Sequence, residues 1–244
     1  MIPTRIVVIN LDRSAERLAT FKAQNGFVGG LERFAAVDGR AVNRAQLQQA
    51  GFLDPAVTYT DGALGAALSH FTLWEEAAAD GIALTVCEDD AVLNRGFQHR
   101  AAGLLAALPE DWDIVLWGWN FDSVLIVDGL PGVSECLIQS DQASLRTRLD
   151  RFQALELEPR ALRLLHAFGM LCYSVTPGGA RKLLAACWPI RAMQVAVRGL
   201  AAPLPNYGFD VMCNAAYRQL KAYVAFPPLA VSPNDHAVSL VQTG

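Results

Sequence analysis

The chain predicts a single α/β domain built on a mostly parallel, doubly wound central sheet. Three observations carry that expectation: short continuous apolar runs suited to buried strands, amphipathic helical stretches alternating with them, and no internal repeat or long linker to divide the 244 residues. A chain of this length also buries a substantial core without disulfides. The domain is therefore taken as 1–244.

The first run, Arg5-Ile6-Val7-Val8-Ile9-Asn10-Leu11, is mainly β-branched and reads as a strand buried on both faces. A helix follows, with Asp12 or Ser14 as cap, Leu18 and Phe21 on its apolar face and Gly26 as a stop. Leu31 to Val37 reads as a second strand closed by the turn Asp38-Gly39. Residues 62–77 are helical, with Leu64, Leu68, Phe71 and Glu75 on neighbouring turns and Gly81 just past the end. The buried strand Ile82 to Cys87 then delivers the chain into Glu88-Asp89-Asp90. A helix from Phe97 to Leu108 leads through Pro109 to the strand Asp113 to Trp117. Residues from about 120 to 165 mix Gly-Pro turns with an Arg-rich helical stretch and read as a variable insertion on the acceptor side. Gly169 to Val175 is another strand, and Thr176 caps a helix with Pro177 in its first turn. A helix near Val211 to Leu220 and a short strand from Ala222 to Phe226 complete the pattern.

Composition excludes several classes. An apolar content of 52% and a mean hydropathy of +0.24 exclude a disordered chain, yet no stretch approaches the ~18 consecutive apolar residues of a membrane span. The start runs directly into a strand, without the pattern of a secretory signal, so a cytoplasmic location is expected. A formal charge of −4 with scattered Lys and Arg gives no field for nucleic acid. Five widely spaced cysteines without a CxxC pair read as reduced, buried thiols.

Three adjacent carboxylates at the end of a buried strand repel one another, increasingly so as water is excluded. Ligands of open α/β sheets bind beyond the carboxyl ends of the strands, where this cluster falls. Carboxylates suit hard ions such as Mn²⁺ or Mg²⁺, which complete their shells with water and phosphate. In an extended chain Glu88 and Asp90 point to one side and Asp89 to the other, an imitation of an Asp-x-Asp metal motif. The competing account is that the acids cap the next helix or pair with Arg95 and Arg100.

Several stretches in order resemble glycosyltransferase family 25, the group of bacterial lipopolysaccharide galactosyltransferases and collagen galactosyltransferases. They are Val8 to Ser14 with Glu16-Arg17, Phe34 to Gly39, Gly62 to His70 with Leu73-Trp74, Cys87 to Ala91, Trp112 to Leu116, and Tyr173 to Thr176 with Gly179-Ala180 and Leu183-Leu184. Their order over roughly residues 5–185 is more specific than any single stretch. The resemblance implies a Rossmann-like GT-A type fold, a UDP-hexose donor, dependence on Mn²⁺ or Mg²⁺, inversion at the anomeric carbon, and a glycan, lipid-linked, peptide or small-molecule acceptor. It weakens after Leu184: where the family carries an aspartate after Pro-hydrophobic, Trp188-Pro189-Ile190 is followed by Arg191.

Roles follow from chemistry and resemblance together. Asp90 is the first choice as metal ligand, with Glu88 and Asp89 sharing the ion or holding donor hydroxyls. Asp210, the next aspartate after the weakened stretch, is the candidate base for the acceptor hydroxyl, against a plain helix-capping role. Arg13 and Arg17 face the diphosphate as charge-assisted donors, or else are solvated. Asn10, Leu11, Asp38, Ser69 and His70 complete the donor side by resemblance, with His70 as a satisfied core residue the alternative. Trp117 and Trp119, two apart, offer one flat face to a sugar or simply pack in the core. His166 and Tyr173 lie near the donor by analogy. A non-catalytic sugar-nucleotide binder and a metal-dependent phosphohydrolase are the rival functions.

Overall fold

In the first strand, β1 (Arg5–Asn10), Val7 and Ile9 enter one core and Val8 another, so the strand must lie in a sheet covered on both faces. The structure, a computed structural model, describes Pro3 and residues 5–234. After β1 come α1 (Ala15–Gln24), β2 (Leu31–Ala35), α2 (Arg44–Gln49), α3 (Asp61–Asp80), β3 (Leu84–Glu88), β4 (Val92–Leu93), α4 (Phe97–Ala107) and β5 (Ile114–Gly118). Then follow β6 (Val124–Leu130), β7 (Ser134–Gln139), α5 (Gln142–Arg146), α6 (Leu149–Ala154), β8 (Arg160–His166), β9 (Cys172–Val175) and α7 (Pro177–Cys187). The chain continues through β10 (Gln194–Val195), β11 (Leu204–Pro205), α8 (Phe209–Ala216), β12 (Ala222–Phe226) and β13 (Ala230–Val231).

Nine strands form one sheet in the order β2-β1-β3-β9-β5-β12-β8-β6-β7. The pairs β1 with β2, β1 with β3 and β5 with β12 are parallel, and the remaining neighbours are antiparallel. The sheet is thus mixed, although its strand directions are mostly shared. Strand β9 is the departure from the expected order: it enters antiparallel between β3 and β5, with Cys172 opposite Cys87 and Val175 opposite Leu84. A short all-apolar strand carries no periodicity that reveals its direction, so a parallel reading was the natural expectation.

Helices α3, α7 and α8 pack on the face that holds Val7, Ile9, Val86, Leu116 and Tyr173. Helices α1 and α4 pack on the opposite face against Val8, Cys87, Val115 and Trp117. The result is a three-layer arrangement. Half of helix α3 is buried in the core, with Leu64, Leu73 and Trp74 fully buried. The Thr60 side chain caps it by accepting from the Ala63 N–H at 3.0 Å, an interaction worth about 1 kcal/mol.

Residues 120–165 are an ordered extension of the sheet, since β6, β7 and β8 supply three of its strands. Their polar and exposed positions gave an irregular pattern because β7 is a sheet edge with little burial. The thiols are free as expected, and Cys87, Cys172, Cys187 and Cys213 are buried, but Cys136 on that edge strand is exposed. No described helix is long and apolar enough to cross a membrane.

Candidate functional site

A cleft of about 650 Å³ opens at the carboxyl ends of β1 and β3. Its first wall comes from the close approach of residues 37–39 to α3. A Cβ on Gly65 would lie 2.5 Å from the Val37 carbonyl oxygen, so only glycine admits this contact. Ser69, one turn further along α3, accepts from the Val37 N–H at 2.9 Å and donates to the Gly65 carbonyl at 2.7 Å. The hydroxyl lines the cleft but is spent inside its wall.

The three acids do not alternate. Strand β3 ends at Glu88, and a turn in which the Ala91 N–H returns to the Glu88 carbonyl at 3.1 Å brings Glu88, Asp89 and Asp90 to the same cleft. The period of two applies only while the chain is extended. Asp89 forms an ion pair with Arg17 and accepts from Asn10 Nδ2 at 2.7 Å. Asn10 in turn donates to the Ser14 carbonyl and accepts from Arg33. Arg95 and Arg100 are not the partners of the cluster; Arg100 instead pairs with Glu156 and Glu158.

Asp90 differs from its neighbour. One of its oxygens accepts from the Ser232 hydroxyl at 2.9 Å, and the other, Oδ1, is buried without a hydrogen-bond partner among the described residues. Burial first and the charge of Glu88 second push its carboxyl up to about 6. An orphaned buried carboxylate oxygen beside a second carboxylate is the donor set a hard cation takes, so Asp90 and Glu88 fit an open Mn²⁺ or Mg²⁺ site completed by water and phosphate. Among the described residues no group of three or more His, Cys, Asp or Glu is arranged to hold a metal by itself.

Asp210, in the first turn of α8, reaches the same cleft from the far side. Its Oδ2 accepts from the Gly169 N–H and its Oδ1 from the Val211 N–H, both at 2.9 Å. Burial raises this carboxyl above its ordinary value, while the two backbone N–H groups pull the other way. Gly169 has φ +77°, and a Cβ there would fall 2.3 Å from the Asn120 side-chain oxygen. The loop that carries Gly169 crosses the ends of β3 and β5, where the Glu88 N–H meets the Leu171 carbonyl and the Asn120 N–H meets the Phe168 carbonyl, each at 2.8 Å.

Arg13, Leu11 and Asp38 also line the cleft, with Arg13 paired to Asp38 at 2.9 Å. Arg40 and Arg13 together hold the Asp38 carboxyl below the usual carboxylate range. His70 lines it too, stacked on Phe209 with ring centroids 4.4 Å apart, its Nε2 lying 3.7 Å from Glu88.

Three expected donor residues stand elsewhere. Tyr173 lies behind His70, fully buried, with its hydroxyl 2.9 Å from His70 Nδ1 and 2.8 Å from Trp74 Nε1. Trp117 donates to Ser174 Oγ at 2.8 Å and meets Phe97 edge-on within the core. Trp117 and Trp119 enter opposite cores, because the register shifts between Leu116 and Gly118 and β5 ends there. His166 ends β8 away from the cleft lining, with Nδ1 buried and unpartnered among the described residues. Conversely, Ser232, Asn120 and the Gly169 loop were missed: their contacts join distant segments, and only the turn residues Gly169 and Pro233-Asn234 hint at them.

Fold and site together define an α/β protein with an acidic cleft at the carboxyl edge of its strands. The family model described as Glycosyltransferase family 25 (LPS biosynthesis protein) matches residues 4–197, and the chain belongs to that family. A relative in Rattus norvegicus, called probable inactive glycosyltransferase 25 family member 3, is 30% identical over 83% of this chain and 33% of its own length. Procollagen galactosyltransferase 2 of Mus musculus is 29% identical over 74% of this chain and 27% of its own. The chain thus spans about a third of the length of the curated relatives it matches. Among solved structures, mannose-1-phosphate geranyltransferase from Thermus thermophilus aligns over 74% of this chain and 59% of its own at 13% identity, with a TM-score of 0.32.

Proposed function

We propose that this chain is a GT-A type glycosyltransferase domain that moves a hexose, galactose or a related sugar, from a UDP-sugar to an acceptor hydroxyl with inversion, using Mn²⁺ or Mg²⁺. The observation that carries the reading is electrostatic. Among the described lining residues, Asp38, Glu88, Asp89, Asp90, Asp122 and Asp210 face two cations, Arg13 and Arg17. A nucleoside diphosphate is repelled by such a cleft unless a cation enters with it, and Asp90 Oδ1 is a buried oxygen of this cleft that lacks a partner among the described residues.

Asp90 and Glu88 would hold the ion. When bound, it offsets the charge that develops on the departing nucleoside diphosphate. Arg13 and Arg17 border the cleft near the ends of β1 and α1 and suit the diphosphate, while Asn10 keeps Asp89 and Arg17 in register with β1. Asp210, on the opposite wall, suits the acceptor hydroxyl: burial raises its proton affinity, as a general base working near neutral pH requires. The segment with Asn120, Asp122 and Ser123 borders the same side and is proposed to meet the acceptor, whether a glycan such as lipopolysaccharide, a lipid-linked sugar, a peptide or a small molecule.

Several similar relatives are named inactive, which keeps a binding-only reading open for testing. Calorimetric titration with UDP, with and without Mn²⁺, and a screen of nucleotide sugars for turnover test the proposal. Metal-dependent UDP binding with turnover supports it. Binding without turnover of any nucleotide sugar favours the non-catalytic alternative, and cleavage of simple phosphate esters favours a phosphohydrolase.

A further inference from the structure

We propose that Tyr173 and Trp74 lock His70 as its Nε2–H tautomer, making it a positioning residue whose fixed N–H holds the Glu88 carboxylate in the cleft. The count of donors fixes the proton. The Trp74 indole N–H can only donate, and it meets the Tyr173 oxygen at 2.8 Å. Tyr173 is fully buried, so its single hydroxyl hydrogen needs an acceptor, and His70 Nδ1 stands 2.9 Å away. Were Nδ1 to carry a hydrogen, the Tyr173 oxygen would receive two donors and its own hydrogen would be buried unpaired, at the full desolvation penalty of a lost partner. Nδ1 therefore accepts, and the ring hydrogen sits on Nε2.

The ring has no freedom to swap ends. It is 1% exposed, stacked on Phe209 at 4.4 Å on one side and ring-to-ring with Tyr173 at 5.7 Å, and carried by the buried helix α3. Nε2 faces Glu88 Oε1 at 3.7 Å, just beyond hydrogen-bond length. The Glu88 side chain is a third exposed, so a small rotation closes the gap. Tyr173 and Trp74 thus act through His70, although neither lines the cleft. Sequence spacing is consistent with this arrangement: His70 and Trp74 are four apart on α3, and Tyr173 arrives on β9 beside β3.

Only the kinetic consequence rests on the transferase reading; the proton position does not. The test is ¹⁵N–¹H long-range correlation NMR of ¹⁵N-histidine-labelled protein as wild type, Tyr173→Phe and Glu88→Gln. The expected wild-type spectrum shows His70 with an unprotonated Nδ1 and a protonated Nε2, Tyr173→Phe shows mixed tautomers, and Glu88→Gln moves the Nε2 resonance. An Nδ1–H or doubly protonated ring in the wild type overturns the proposal, as does an Nε2 signal that ignores Glu88→Gln. If Tyr173→Phe fails to fold, the other two samples decide. With a donor that turns over, Tyr173→Phe lowers kcat/KM about tenfold, and an unchanged kcat/KM counts against the role. Absence of turnover in the wild type defeats the transferase reading alone, because the NMR outcome stands independently.

Discussion

The hydroxyl of Ser232 donates to one carboxylate oxygen of Asp90 at 2.9 Å, and the other oxygen of that carboxylate is buried with no partner among the described residues. Asp89, the adjacent acid, is satisfied by Arg17 and Asn10. Neighbouring carboxylates of one turn therefore differ electrostatically: Asp89 is neutralised by the protein, whereas Asp90 keeps one buried oxygen without a partner among the described residues.

Asp90→Asn is expected to weaken Mn²⁺-dependent UDP binding by on the order of a hundredfold, equivalent to about 3 kcal/mol, as read by calorimetry. The metal-free melting temperature should equal or exceed that of the wild type, because removing an uncompensated buried charge relieves a desolvation cost. A metal-free protein that melts well below wild type would mean that Asp90 has a structural rather than a cation-binding role.

Asp210→Asn is expected to reduce kcat by about a hundredfold to ten-thousandfold while leaving UDP affinity unchanged. Since burial raises the Asp210 carboxyl and a base works only when ionised, the wild-type rate should rise with pH through a limb lying above the ordinary carboxylate range. That limb is measured from the pH dependence of kcat/KM, and turnover unchanged in the variant would remove Asp210 as the base.

Gly169→Ala tests the loop that carries the Asp210 contact. A positive φ together with the close Asn120 side chain makes a Cβ costly, so chemical denaturation should show a loss of about 1–3 kcal/mol. An alanine variant as stable as the wild type would show that the loop yields freely.

His166 should make the protein sensitive to mild acid. Burial chiefly, and the charge of Arg218 next, lower its pKa from 6.5 in the folded chain. The unfolded chain then binds the proton first, so the stability tied to neutral His166 is present above about 6.5 and lost as pH falls toward and through the lowered folded value. Urea midpoints measured at pH 7.5 and 5.5 should fall further for wild type than for His166→Gln, and identical differences would assign the acid sensitivity to other groups.

The sequence by itself determined the local elements and the centre of the cleft. Val7, Val8 and Ile9 require burial on both faces, Gly81 ends α3, and Thr176 with Pro177 starts α7, all legible from patterns within a few residues. The acids after β3 were legible for the same reason, because a polar cluster directly after an apolar strand must emerge at a sheet end.

Tertiary structure decided the partners. Apolar periodicity carries neither strand direction nor pairing order, so the antiparallel insertion of β9 and the joining of β6, β7 and β8 to the main sheet depended on packing. Which acid is neutralised also depended on chain segments far apart: Arg17 reaches Asp89 from α1, and Ser232 reaches Asp90 from beyond β13. The same holds for Tyr173, which β9 places against His70, whereas Trp117 and Trp119 separate to opposite cores once β5 ends. Hydrogen bonds and ion pairs act over a few ångströms of space, and only the folded chain decides which residues share them.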